Sequence, residues 1–111
     1  MAERLRRSAR LRDARDFQRV NRTGVRRATA HLVAVIAPAP KELGPRLGLA
    51  VSRRVGNAVA RNRVKRRVRE WFRRQCNALP PATDWVVIAR PGAARLDARA
   101  TARELTELTS R

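Results

Sequence analysis

The sequence predicts an α+β fold: a small sheet of about four strands, three of which the pattern locates, packed with three helices. Two observations carry this. The runs His31-Leu-Val-Ala-Val-Ile-Ala37 and Asp84-Trp-Val-Val-Ile-Ala-Arg90 are short, apolar and β-branched, the signature of buried strands. Around them, apolar residues return at helical spacing in three separate segments, and the order helix, strand, strand, helix, strand, helix places the helices on one small sheet. At 111 residues the chain makes about one domain, residues 1–111. That length buries roughly two-thirds of the surface an unfolded chain would expose.

The elements follow in order. Residues 1–12 are basic and irregular and read as a flexible N-terminal segment. They contain no apolar stretch of the kind a secretory signal needs. Asp13 can cap a short helix to Arg22, with Ala14, Phe17 and Val20 on one side and Gly24 as its stop. The first strand, 31–37, is followed by Ala37-Pro-Ala-Pro-Lys-Glu-Leu-Gly-Pro45. Its three prolines and glycine suit only a loop. Arg46-Leu-Gly-Leu-Ala-Val-Ser52 alternates and reads as a second strand, hairpin-paired with the first. Gly56 breaks the chain, and Asn57 can cap a helix from about Ala58 to Gln75. After the linker 77–83 and the strand 84–90, Pro91-Gly92 turns the chain. Asp97 can then cap a last helix to about Leu108, with Ala98, Ala102, Leu105 and Leu108 inward.

Charge decides the class of partner. The chain carries 27 Lys and Arg against 9 Asp and Glu, a net charge of +18, while 43% of its residues are hydrophobic. It is therefore a folded polycation, drawn to nucleic acid or an anionic surface. Only Lys41 and Lys65 are lysine; the rest are arginine, which forks onto phosphate and stacks on bases. From Arg53 to Arg74, ten of 22 residues are basic and Glu70 alone is acidic, so the run cannot neutralise itself. On a helical wheel Ala60, Val64, Val68, Trp71 and Phe72 form one apolar stripe that must pack on the sheet. Arg61, Lys65 and Arg69 make a row beside that stripe, at its seam with the neighbouring structure. Asn62, Arg66 and Arg73 lie one step further round, and Arg63, Arg67 and Arg74 flank the other side. Arg53 and Arg54 precede a helix N-terminus, whose unbonded N–H groups favour phosphate. Neutral Asn62 can address a base edge or a 2′-hydroxyl.

Leu47-Gly-Leu-Ala-Val-Ser-Arg-Arg54 followed by Gly56-Asn-Ala-Val-Ala-Arg-Asn-Arg-Val-Lys-Arg-Arg-Val-Arg69 closely resembles the signature of the bacterial ribonuclease P protein family. The resemblance continues through Asp16-Phe-Gln-Arg-Val20, Gly24 and Trp85-Val-Val-Ile-Ala-Arg90. It implies a ribosomal-protein-S5-domain-2-like fold with the basic helix in a left-handed βαβ crossover, against the usual hand. It also implies a partnership with a catalytic RNA that hydrolyses the 5′ leader from precursor tRNA using Mg²⁺, in the cytoplasm, as a monomer in a 1:1 complex. Carried over by position, Arg61, Asn62, Arg63, Lys65, Arg66, Arg67 and Arg69 would face the catalytic RNA, with Arg53, Arg54 and Asn57 in the turn before them. Phe17 would line a leader-binding cleft, with Val20 and Val35 at the positions nearest to it and Arg19 as a further cation. The chain has no Tyr, so base stacking in that cleft would rest on Phe17 alone.

Other classes fit less well. A self-sufficient metal nuclease needs clustered carboxylates or histidines, whereas the nine acids are scattered and His31 is the single histidine. The lone Cys76 has no activating neighbour in sequence, is read as a small apolar residue at a helix end, and excludes an internal disulfide. No run approaches the ~18 apolar residues of a membrane span. A basic amphipathic helix on a membrane surface would have to give up the stripe that closes the core. A major-groove DNA helix is disfavoured by the seam position of Arg61 and Lys65. The alternative retained is a structural RNA-binding protein of the ribosome, which would share fold class and charge.

Overall fold

The structure, a computed structural model, describes residues 5, 7–39 and 45–109. A 3-10 turn at Arg7–Ala9 leads to α1 (Ala14–Thr23), β1 (Val25–Ala28), β2 (Leu32–Pro38), β3 (Arg46–Ala50), α2 (Ala58–Gln75) and β4 (Thr83–Ala89). A second 3-10 turn, Ala93–Arg95, precedes α3 (Ala98–Thr109). The strands form one mixed sheet in the order β1-β2-β4-β3. β2 is antiparallel to both β1 and β4, and β3 is parallel to β4.

This order corrects two expectations. Val25–Ala28 is a strand that the pattern did not reveal, because two arginines in four residues carry no apolar alternation; an edge position explains the composition. And β3 is not the hairpin partner of β2. β2 and β4 are buried on both faces and so require a neighbour on each side, which places them at the centre. β3, intermediate in burial at its ends, takes an edge. Parallel pairing of β3 with β4 needs a crossover, and α2 supplies it.

Register assigns the faces. Ile36, Trp85 and Leu47 are cross-strand partners on one face, and Val35, Val86 and Gly48 on the other. The first face packs with Val64, Val68, Trp71 and Phe72 of α2 and Leu105 and Leu108 of α3. There the rings of Phe72 and Trp85 meet edge to face at 6.3 Å. The second face packs with Val20 and Phe17 of α1 and with Leu11. The sheet is thus sandwiched between helices.

The anticipated caps are present. Asp13 accepts from the Arg15 N–H, Asn57 from Ala60 at 2.9 Å and Asp97 from Ala100 at 2.7 Å. Gly24 ends α1 for a reason of space: a Cβ there would lie 2.6 Å from the Val20 carbonyl oxygen and from Val35 Cγ1. Gly56 has φ +153° at the break before α2, a conformation that favours glycine. On α3 the buried residues are Thr101, Leu105 and Leu108. Ala98, anticipated inward, is exposed, because it lines an open groove against α2 instead of packing on the sheet.

Candidate nucleic-acid interface

The helix wheel of α2 is realised in space. Its apolar stripe is in the core, and its two cationic flanks meet different neighbours. On the α3 side, Arg67 donates to the Leu96 carbonyl through Nη1, and Arg66, Arg67 and Arg74 line the groove against α3 with Trp71 and Ala102. Glu70 accepts from Arg73 at 2.6 Å and from Arg74 at 2.9 Å. Those bonds, the Arg73 bond foremost, hold the Glu70 carboxyl below the usual carboxylate range against the opposing effect of burial. The single acid of the helix is therefore spent at its C-terminal end.

On the β3 side lie Arg61, Lys65 and Arg69, all partly buried and none with a side-chain hydrogen bond or ion pair among the described residues. Arg61 Nε is buried without a partner. Burial, then the nearby Arg10, lowers the Arg69 pKa from the ordinary guanidinium value. Asn62, Arg63 and Arg66 stand exposed on the crest, as does Val59. Arg53 and Arg54 lie exposed in the tight turn before α2, which is closed by Val55 and Gly56 donating to the Ser52 and Arg53 carbonyls. Asn57 commits its side-chain oxygen to the helix cap and keeps only its amide N–H donors for anything else.

The second cluster lies across the sheet, under α1. Phe17 lies over Gly48 of β3, where a Cβ would come within 2.5 Å of its Cζ; glycine is what lets the ring settle onto the strand. The half-buried ring packs on the same core cluster as the partly exposed Ala28 and Ile88. Val20 and Val35, at 0% and 2% exposure, back this surface from within the core rather than opening onto it. Arg19 is already engaged: it donates to the buried Asp84 carboxylate and, at 2.8 Å, to the Pro38 carbonyl.

Asp84 went unremarked in the sequence, although an aspartate at the head of an apolar strand is a signal. It is fully buried and is gripped by Arg46 at 2.8 and 2.7 Å as well as by Arg19. Its hydrogen bonds are the main cause raising the Arg46 pKa, against the cost of burial. Asp16 completes the cluster, 3.5 Å from Arg19 and 3.8 Å from Arg46. This knot ties α1 to β3 and β4 and so holds Phe17 over Gly48. Arg10 was likewise not singled out; nothing in a basic, irregular segment distinguishes one arginine from the next.

Among the described residues no group of three or more His, Cys, Asp or Glu could hold a metal ion, and no helix is long and apolar enough to cross a membrane. Cys76 caps α2 and donates its thiol to the Arg73 carbonyl. His31 Nδ1 lies 2.7 Å from Glu104, whose carboxylate also accepts from Thr29.

The Ribonuclease P family model matches residues 5–111. The ribonuclease P protein component of Syntrophobacter fumaroxidans is 47% identical over 105 residues, which span 94% of this chain and 87% of that protein. That of Bacillus velezensis is 38% identical over 99 residues, spanning 89% and 84%. Among solved structures, the Staphylococcus aureus RNase P protein is similar with a TM-score of 0.82 at 33% identity, covering 92% of this chain and 93% of that one. The Thermotoga maritima RNase P protein matches with a TM-score of 0.82 at 34% identity, covering 92% and 96%.

Proposed function

The chain belongs to the ribonuclease P protein family, and from that membership we propose how its surfaces divide the work of the holoenzyme. Within the family the protein is a component of an endoribonuclease that matures tRNA, and its partner is the RNase P RNA. In our reading α2 is the face that meets this RNA. The observation that carries it is the row Arg61, Lys65 and Arg69: ordered, partly buried cations with no acid to satisfy them among the described residues. Arg63 and Arg66 extend the same cationic surface over the crest, and Asn62 supplies a neutral amide for a 2′-hydroxyl or base edge. Arg67 reaches this RNA only at the cost of its bond to Leu96. Arg53, Arg54 and the unbonded N–H groups at the start of α2 form a phosphate seat, with Asn57 holding the helix end in place.

The 5′ leader of precursor tRNA lies, in this reading, over the open part of the sheet beside α1. Phe17 stacks on a base there, an interaction worth about 1–3 kcal/mol. Val20 and Val35 fill the space behind the ring, and Arg19 positions α1 through Asp84 rather than reaching for a phosphate. Hydrolysis itself belongs to the RNA and its Mg²⁺. In this reading the protein's part is to bind, orient and neutralise. One copy per RNA is favoured because, among the described residues, the large exposed apolar side chains, Val25 on β1 and Val59 on α2, sit on different elements and form no patch. A reduced, lone cysteine and an RNA partner suit the cytoplasm.

The test is reconstitution with a bacterial ribonuclease P RNA and 5′ processing of precursor tRNA at low Mg²⁺. The wild-type protein is expected to stimulate cleavage. Arg61→Ala or Lys65→Ala should weaken RNA binding and reduce the log–log salt slope by a bit under one unit per lost phosphate contact. Phe17→Ala should cost affinity for precursor tRNA with a leader and leave mature tRNA unaffected. An absence of stimulation, together with tight binding to ribosomal RNA, would overturn the assignment.

A further inference from the structure

The N-terminal segment and the cationic side of α2 meet along the outer edge of β3. Leu5 is buried in the core beneath α2 and Leu11 in the core beneath α1, so the segment wraps the sheet edge from one face to the other. Arg10 forms an isolated parallel bridge with Leu47, and the Leu11 N–H donates to the Leu47 carbonyl at 2.8 Å. Bridge partners point to the same face of a sheet, and Leu47 points toward α2. Arg10 therefore extends to that side, where its charge acts on Arg69.

What Arg10 finds there is another cation. Arg10 Nε is buried with no hydrogen-bond partner, and so is Arg61 Nε two turns earlier on α2. Elsewhere half-buried guanidiniums are satisfied: Arg19 and Arg46 by Asp84, Arg67 by the Leu96 carbonyl, Arg27 by the Leu108 carbonyl at 3.1 Å, and Arg73 by Glu70. A buried donor left unmet is costly, and two adjacent guanidiniums add repulsion. The group that removes both costs is an anion with several acceptor oxygens.

We propose that Arg10 and Arg69 form a two-guanidinium clamp for one phosphodiester of the RNA lying along α2, and that filling the clamp fastens the N-terminal segment to the edge of β3. The inference rests on α2 being the RNA face. Arginine suits the role because its planar fork engages two phosphate oxygens at once. The row Arg61, Lys65, Arg69 advances about 6 Å per step along the helix, so Arg69 ends a track of cations, and Arg10 closes that end from the opposite wall. Arg12, exposed on the same segment, supplies a comparison at equal net charge.

The experiment uses the full chain and a bacterial ribonuclease P RNA, with binding measured across a salt series and Leu11 amide exchange followed by NMR with and without RNA. Arg10→Ala should weaken binding several-fold and lower the log–log salt slope by about 0.7–0.9, the share of one phosphate contact. Arg10→Lys should restore most of the slope and only part of the affinity, having charge but no fork. Arg12→Ala should change both less. RNA should slow exchange at the Leu11 amide in the wild type and fail to do so in Arg10→Ala. An Arg10→Ala protein with wild-type slope and wild-type protection of Leu11 overturns the clamp. So does an effect of Arg12→Ala equal to that of Arg10→Ala. Failure of the wild type to bind the RNA would instead overturn the reading of α2 on which the clamp depends.

Discussion

Replacing Asp84 by alanine should unsettle this protein more than any surface change of charge. Asp84 has no exposure, and its carboxylate is the common acceptor for Arg46, bound through two bonds of 2.8 and 2.7 Å, and for Arg19. Removing the acid leaves two guanidiniums facing one another, with Asp16 at 3.5 and 3.8 Å as the remaining counter-charge. Breaking a buried pair by deleting one partner costs about 3–5 kcal/mol. The Arg19 and Arg46 side chains keep 24% and 16% exposure, so water relieves part of the strain and the lower end, about 3 kcal/mol, applies. With an m-value of about 1.5 kcal/mol/M, the urea midpoint should fall by about 2 M. In the double variant Asp84→Ala/Arg46→Met the total loss should be smaller than the sum of the single losses, since the orphaned charge leaves with its partner. A loss below about 1 kcal/mol for Asp84→Ala, or strict additivity in the cycle, would refute the view that this knot anchors α1 to the sheet. The same variant should also blunt discrimination between leader-bearing and mature tRNA, because Phe17 rides on α1.

Two glycines separate packing from function. Gly24→Ala drives a Cβ to within 2.6 Å of a backbone oxygen that cannot retreat, and should cost about 2–3 kcal/mol in denaturant titrations. Gly48→Ala meets the far end of the Phe17 ring instead, so it should cost only about 1 kcal/mol while displacing the ring and weakening leader affinity in tRNA binding assays. Asn57→Ala should cost about 1 kcal/mol through loss of the cap, and Asn57→Ser should restore that stability; any RNA-affinity loss that persists in the serine variant measures a direct contact. Burial works to raise the Glu104 pKa, but the combined bonds from Thr29 and His31 prevail and hold it below the usual carboxylate range. A carboxylate whose folded pKa is depressed stabilises the fold above its unfolded pKa, about 4.3, and loses that contribution as the pH falls through the folded value. Thermal melts from pH 6 to pH 3 should therefore show an acid-side loss in the wild type that is smaller in Glu104→Gln.

The local punctuation was legible because it depends on neighbours in the chain. Asp13, Asn57 and Asp97 cap the helices at the positions their side chains suggest, and the apolar stripe Val64, Val68, Trp71 and Phe72 is buried as periodicity requires. Strand pairing was not legible in the same way. The hairpin between β2 and β3 looked natural because they are consecutive, yet β4 inserts between them. β1 was invisible because an edge strand with Arg26 and Arg27 lacks the alternation that marks a half-buried one. The seam row Arg61, Lys65 and Arg69 could be drawn on a wheel, but Arg10 on the opposite wall could not.

By itself the sequence determined the class of partner and the division of α2 into a core stripe and cationic flanks. Charge and periodicity are properties of the chain that survive any packing consistent with them. Only the tertiary structure decided which cations remain available. Arg19 and Arg46 are consumed by Asp84, Arg73 and Arg74 by Glu70, and Arg67 by a carbonyl, while the side chains of Arg10, Arg61 and Arg69 have no acceptor among the described residues. That selection is made by contacts between residues far apart in the chain. A buried charge must find its partner there or wait for a ligand to supply one.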